Sequence, residues 1–250
     1  MLQIIFEDKE LVVCHKMPGI PVQTAKAGQK DMVSMLRNYF AEKNEEADAF
    51  VIRRLDQPVE GIMVFAKNQQ AAAALSRQVQ EKTVEKEYLA LAEGRFSEYS
   101  GVLEDYLLRD GRSNTSQVVP KGTKGAKSAK LCYKVNKEIS ESEASGTILG
   151  TACPDKIVSL VSIRLDTGRH HQIRVQMAHA GHPLIGDKKY NKNCSPGYLP
   201  IGLCSVRTSF IHPATGERME FSVQPKGELF SYLRSLGSPA KKKAIFGHLP

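Results

Sequence analysis

The chain has 250 residues, 41% of them hydrophobic and 25% charged, with a formal net charge of +8. That balance excludes a disordered or fibrous chain and is enough for one large domain or two small lobes around a sizeable core. No apolar run reaches the length of a membrane span, and the opening MLQIIFEDKE lacks the basic start, long apolar middle and cleavage site of a secretory signal. The surplus of positive charge favours a polyanionic partner such as nucleic acid. Five cysteines, Cys14, Cys132, Cys153, Cys194 and Cys204, are odd in number and scattered, with no CxxC spacing. They support neither a zinc framework nor a disulfide scaffold, so no metal is expected, and a reducing cytoplasm fits them best.

In chain order, IIFEDKELVVCHKMPGIPV (4–22) reads as two short strands around a polar turn, followed by a Pro/Gly loop. In QKDMVSMLRNYFAEK, Met32, Met35, Leu36, Tyr39 and Phe40 recur at helical spacing and predict an amphipathic helix. GIMVFAKN (61–68) is a buried-type strand, and Asn68 can cap the helix former QQAAAALSRQVQEK after it. KEYLALAEG is a strand ending at Gly94. The Gly-, Ser- and Lys-rich stretch 109–130 predicts turns around short strands, and LCYKVNKEIS another strand. ESEASGTILGTACPD (141–155) reads as a surface excursion, and KIVSLVSIRL (156–165) as a β-branched strand. HHQIRVQMAHAGHP predicts a helix stopped by Gly181 and Pro183, and 205–223 a hairpin about Pro-Ala-Thr-Gly. KGELFSYLRSLG sets Leu229, Phe230, Leu233 and Leu236 on one helical face, before a basic tail, 238–250. Strands dominate and no βαβ rhythm persists, which predicts an α+β fold with a mainly antiparallel sheet.

Arg-Leu-Asp occurs twice, in RRLDQPVEG (53–61) and IRLDTGRHHQIR (163–174). Pro58 pushes Gln57 toward extended geometry, so Asp56 falls on a loop leading through Glu60-Gly61 into a buried strand. Such a carboxylate either bonds its own turn or does chemistry. Asp166, before Thr-Gly, reads as a turn residue. Beyond it, Arg174 flanks the apolar stripe Ile173, Met177 and Ala180; a semi-buried arginine needs an anion, and Asp56 is a candidate. Tyr88 reads as a strand aromatic that packs in the core or stacks on a base. GxGxxG, GxxxxGK[ST] and GxSxG are absent from the sequence. Asp56 with Glu60 is the one arrangement that suggests a glycosidase, at a loop spacing that fixes no useful separation.

RRLDQPVEGIMVFAKN resembles the motif HRLDxxTSGLLLxAK of the RluA-type RNA pseudouridine synthases. The resemblance continues, in order, through DKELVVCHKMPGIPVQ, VEKEYLALAEG, LDTGRHHQIRVQMAHAGHPLIGDKKY and VRTSFIHPATGE, from about residue 2 to residue 223. It implies the pseudouridine synthase fold: a central, mainly antiparallel mixed sheet with flanking helices and a basic cleft. It further implies isomerisation of a uridine in ribosomal or transfer RNA, with no cofactor. Carried over residue by residue, it implies that Asp56, Tyr88 and Arg174 are catalytic, and that Arg54 fills the gap left by the flipped base. Arg53, Arg169 and His171 join Arg54 as expected RNA contacts. The resemblance implies a catalytic domain over 1–237, without an S4-like domain, and a monomer is the default expectation.

The chain departs from the family pattern at Arg53, which replaces a histidine, and at Val59-Glu60, which replaces Thr-Ser. His170 and Gln176 also differ. A carboxylate at Glu60 is expected to alter substrate preference or to repel RNA. The alternative function is a non-catalytic RNA-binding or RNA-chaperone protein of the same fold.

Overall fold

The computed structural model describes residues 2–26, 28–140, 143, 157–193 and 200–231. They belong to two compact units: Met1–Lys86 with Cys204–Pro225, and Glu87–Leu203 with Lys226–Pro250.

The first unit begins with β1 (Gln3–Glu7) and β2 (Leu11–Lys16), joined by a turn in which Asp8 Oδ1 accepts from the N–H groups of Glu10 and Leu11. α1 (Met32–Glu42) follows. Asp31 caps it, accepting from Ser34 N–H while Ser34 Oγ accepts from Asp31 N–H, which satisfies two backbone donors at the helix start. β3 (Phe50–Val51) and β4 (Glu60–Ala66) come next, then α2 (Gln69–Gln80), whose Asn68 cap accepts from Ala71 N–H at 2.9 Å. β10 (Leu203–Ile211) and β11 (Arg218–Ser222) close the unit as a hairpin. β2 pairs antiparallel with β4, and the start of β10 lies parallel to β4 at Cys204↔Glu60 and Ser205↔Gly61.

Period-two alternation decides which side chain faces which helix. Val12, Cys14, Met63 and Phe65 pack against Met32, Val33, Leu36 and Phe40 of α1. Leu11, Val13, Ile62 and Ala66 face the other way, against Ala71 and Leu75 of α2 and Phe210 of β10. A strand covered on both faces has no polar side, which is why GIMVFA reads as a continuous apolar run. Val33, not Met35, completes the buried stripe of α1.

The second unit is a run of antiparallel pairs in the order β5 (Glu85–Glu93), β9 (Val158–Leu165), β8 (Lys127–Ile139), β6 (Ser100–Asp110) and β7 (Thr115–Val119). α3 (Gln172–His179) packs among its residues. The six consecutive residues Gln172–Met177 are all buried, so this helix is enclosed rather than amphipathic. Of the helical segment expected over 226–237, the structure describes the start, a 3-10 turn at Glu228–Phe230 with Leu229 and Phe230 buried; residues 232–237 lie outside the described residues. The expected excursion 141–155 (save Glu143) and the tail 238–250 lie outside the described residues. The architecture is α+β with mostly antiparallel pairing, as the strand-rich pattern implies, and no described helix is long and apolar enough to cross a membrane.

Candidate active site

Asp56 sits on the loop that feeds β4, as Gln57-Pro58 requires. Its carbonyl accepts from Val59 N–H at 3.0 Å, which closes a turn around Gln57 and Pro58. The Pro/Gly loop after β2 is laced to this turn. Gly19 N–H donates to Gln57 O at 2.9 Å, and Gln57 Nε2 returns a bond to Gly19 O at 2.9 Å. Lys16 is fully buried beneath, and its ammonium donates to the carbonyls of Met17, Ile20 and Gln57 at 3.2, 2.8 and 3.0 Å. Burial pushes the Lys16 pKa down to about 7, while the charges of Asp56 and Glu60 pull it back up. Lys16 is thus a buried amine poised between its charged and neutral forms, in the electrostatic field of Asp56, and no local sequence pattern marks it out beside the Pro/Gly loop.

The turn then hands the chain to Gly61, whose φ is +128° and whose missing Cβ leaves room for the backbone of Ser205 on β10. Glu60, expected to meet RNA, is 2% exposed and lies 3.6 Å from His15 Nε2. Its carboxylate faces the interior, so repulsion of a phosphate backbone is not its effect. On the outer side of the loop, Arg54 is exposed and donates to Gln23 Oε1 at 2.8 Å. Arg53 and Arg54 border a cavity of about 420 Å³ shared with Gln23, Arg37 and Asp48.

Tyr88 and Arg174 belong to the second unit. Tyr88 is on β5, opposite Ile163 of β9, and 4% exposed. Arg174 is 4% exposed on α3, where its Nε and Nη2 donate to Asp187 Oδ2 and Oδ1 at 2.8 and 2.7 Å. This two-pronged pair is the geometry in which a guanidinium and a carboxylate hold each other most firmly. Asp187 follows Gly186 in the GDKKY block, 13 residues beyond Arg174, and only the packed structure marks it as the partner of Arg174. The Arg174 guanidinium also lies 5.2 Å from the centre of the Tyr190 ring.

Tyr190 continues the chain of contacts. Its hydroxyl accepts from Ser116 N–H at 2.7 Å and shares a 2.8 Å hydrogen bond with His171 Nδ1. His171, expected at the RNA surface, is instead 8% exposed, holds φ at +53° at the start of α3, and stacks on His170 at 3.8 Å. Its geometry is that of a side chain that orients Tyr190, and through it Arg174. Arg169 is exposed, with Nε donating to Ser128 O at 2.9 Å. Gln176, at a position where the family pattern has histidine, is fully buried and donates to Asp105 Oδ2 at 2.7 Å.

A family model described as RNA pseudouridylate synthase matches residues 10–179. The uncharacterized RNA pseudouridine synthase YhcT of Bacillus subtilis is 32% identical over 217 residues, covering 86% of this chain and 66% of that protein. Ribosomal large subunit pseudouridine synthases C and D of Haemophilus influenzae are each 30% identical, over 240 and 250 residues; each match covers 94% of this chain, and 68% and 71% of theirs. The chain therefore spans about two thirds of the length of these relatives. Among solved structures, the human RNA pseudouridylate synthase domain containing 4 aligns with a TM-score of 0.70 at 22% identity, over 94% of this chain and 92% of that one. The matched segment runs through Asp56, Tyr88 and Arg174, and its fold is shared: the chain belongs to the RNA pseudouridine synthases, a family of isomerases, as an RluA-type member.

Proposed function

We propose that the chain isomerises specific uridines of ribosomal or transfer RNA to pseudouridine, with Asp56, Tyr88 and Arg174 as its catalytic residues. The observation that carries the assignment is the presentation of Asp56, on a turn tied to the Pro/Gly loop and to the buried Lys16 amine beneath it. A carboxylate held in this way is preorganised, so little reorganisation is needed when charge develops at the sugar.

A uridine inside folded RNA hides its C1′–N1 bond, so the nucleotide first leaves the stack. The exposed Arg54 is the side chain suited to fill the gap. Asp56 then acts at the glycosidic centre, by covalent addition or by taking a ribose proton to give a glycal. The C1′–N1 bond breaks, uracil turns within the pocket, and a C1′–C5 bond forms. C5 loses its hydrogen and N1 gains one, so substrate and product are isomers and no cofactor is required. Tyr88 stacks on the ring and assists the C5 proton transfer, and Arg174, held in place by Asp187, is the third catalytic residue of the proposal. Arg53, Arg54 and Arg169 hold phosphates, with an affinity that falls as salt rises. His171 serves this site indirectly, as a positioning residue. A cytoplasmic monomer is part of the same proposal.

Because C5 loses its hydrogen, RNA carrying tritium at uridine C5 releases it to water at each turnover. Purified chain should release tritium from total cellular RNA, and Asp56→Asn should release none while retaining RNA binding. Full release by Asp56→Ala would remove Asp56 from the mechanism. RNA binding without release from any RNA would favour a non-catalytic RNA-binding protein, the reading that the altered Val59-Glu60 segment motivates.

A further inference from the structure

We propose that His15, Glu60 and Cys204 form a binding site for a transition-metal cation, with zinc(II) as the best-matched ion. Strand register alone brings the three together. Glu60 of β4 lies directly opposite Cys204 of β10, and His15 of β2 lies opposite Ile62, two residues along the same face of β4. Residues 15, 60 and 204 are far apart in sequence, so no spacing motif announces them.

Three observations point to a cation. Each residue offers one ligand atom, and these atoms lie within 4.8 Å of one another, so some point lies within about 2.8 Å of all three. A contraction of under about 1 Å reaches zinc–nitrogen, zinc–oxygen and zinc–sulfur bond lengths of about 2.0–2.3 Å. Second, His15 is 3% exposed, yet its Nε2 has no hydrogen-bond partner. At 3.6 Å from Glu60 it is beyond hydrogen-bonding reach, and a buried polar atom in that state calls for a reason. Third, the donors are one imidazole nitrogen, one carboxylate oxygen and one sulfur. Calcium and magnesium take oxygen ligands, whereas zinc accepts all three types.

Charge closes the account. A bound cation displaces the Cys204 proton to solvent as the sulfur–metal bond forms, and thiolate with carboxylate then match a 2+ ion. Three protein ligands leave a fourth position for water. The ion would tie β2, β4 and β10 together below the loop that carries Asp56, as a structural clamp. Its binding is measured without RNA, so the outcome is independent of the isomerase reading.

The test titrates cobalt(II) into the full chain after treatment with a chelator. One equivalent should bind and give the near-ultraviolet thiolate-to-cobalt absorption, and zinc(II) should abolish it by displacement. Cys204→Ser should lose the band, and His15→Ala should weaken binding at least tenfold. X-ray absorption at the zinc edge of the unaltered chain should show one sulfur neighbour among lighter ligands, a readout that needs no variant to fold. Absence of uptake would reduce the trio to a buried His–Glu pair beside a thiol and overturn the proposal. So would a band that persists in Cys204→Ser, or a zinc shell without sulfur.

Discussion

Single side chains in this protein owe their roles to what surrounds them. Asp56 is marked out less by its own type than by the buried Lys16 amine that braces its loop from beneath. Arg174 likewise depends on Asp187, which holds it by two hydrogen bonds, and on the ring of Tyr190. Breaking one side of a buried pair leaves the other charge without compensation and costs about 3–5 kcal/mol. Asp187→Asn should therefore lower unfolding stability by about that amount. The double variant Asp187→Asn with Arg174→Met should recover much of the loss, since it leaves no stranded charge. Urea denaturation of the unaltered chain, the two single variants and the double variant measures both, and additive losses would show that the pair does not couple.

At the scale of elements, β4 determines where the chemistry is presented. It is covered by α1 on one face and α2 on the other, and its first residues pair with β10. That pairing is possible because Gly61 has no Cβ to strike Ser205 and tolerates its φ of +128°. Gly61→Ala should cost about 2 kcal/mol or more, from backbone strain and the forced parting of β4 and β10. The denaturation midpoint checks this, and an unchanged midpoint would show that the strands separate freely. Elements of this kind were legible in the sequence. The strand runs, the Asn68 cap and the Pro-Ala-Thr-Gly hairpin all follow from patterns a few residues long, and all are present. α3 was legible as a helix but not as an enclosed one, because burial on every side leaves no periodic stripe to read.

On the scale of the whole molecule, net charge and buried ion pairs set the response to conditions. In the first unit, burial pushes the Glu7 carboxyl up, but hydrogen bonds from Lys67, Tyr39 and Lys43 outweigh it and hold its pKa below the ordinary 4.5. A depressed carboxylate contributes stability that is complete above 4.5 and is lost as pH falls through its folded value. Glu7→Gln should accordingly lose less stability than the unaltered chain between roughly pH 5 and pH 3. Parallel acid-unfolding curves for the two proteins would show that Glu7 does not carry the linkage.

The sequence by itself determined the types of the elements, their order and, through several ordered blocks, the family to which the chain belongs. It also singled out Asp56, Tyr88 and Arg174, because each stands inside a block with its own pattern. Tertiary structure alone decided the partners. Lys16 reaches Gln57, Arg174 is held by Asp187, Glu60 turns inward to His15, and His171 is buried against Tyr190. Hydrophobic periodicity and turn chemistry act over a few neighbouring residues, so they are written locally. Which buried charges meet depends on strand register and on how helices cover the sheets, and those are settled only when distant segments pack.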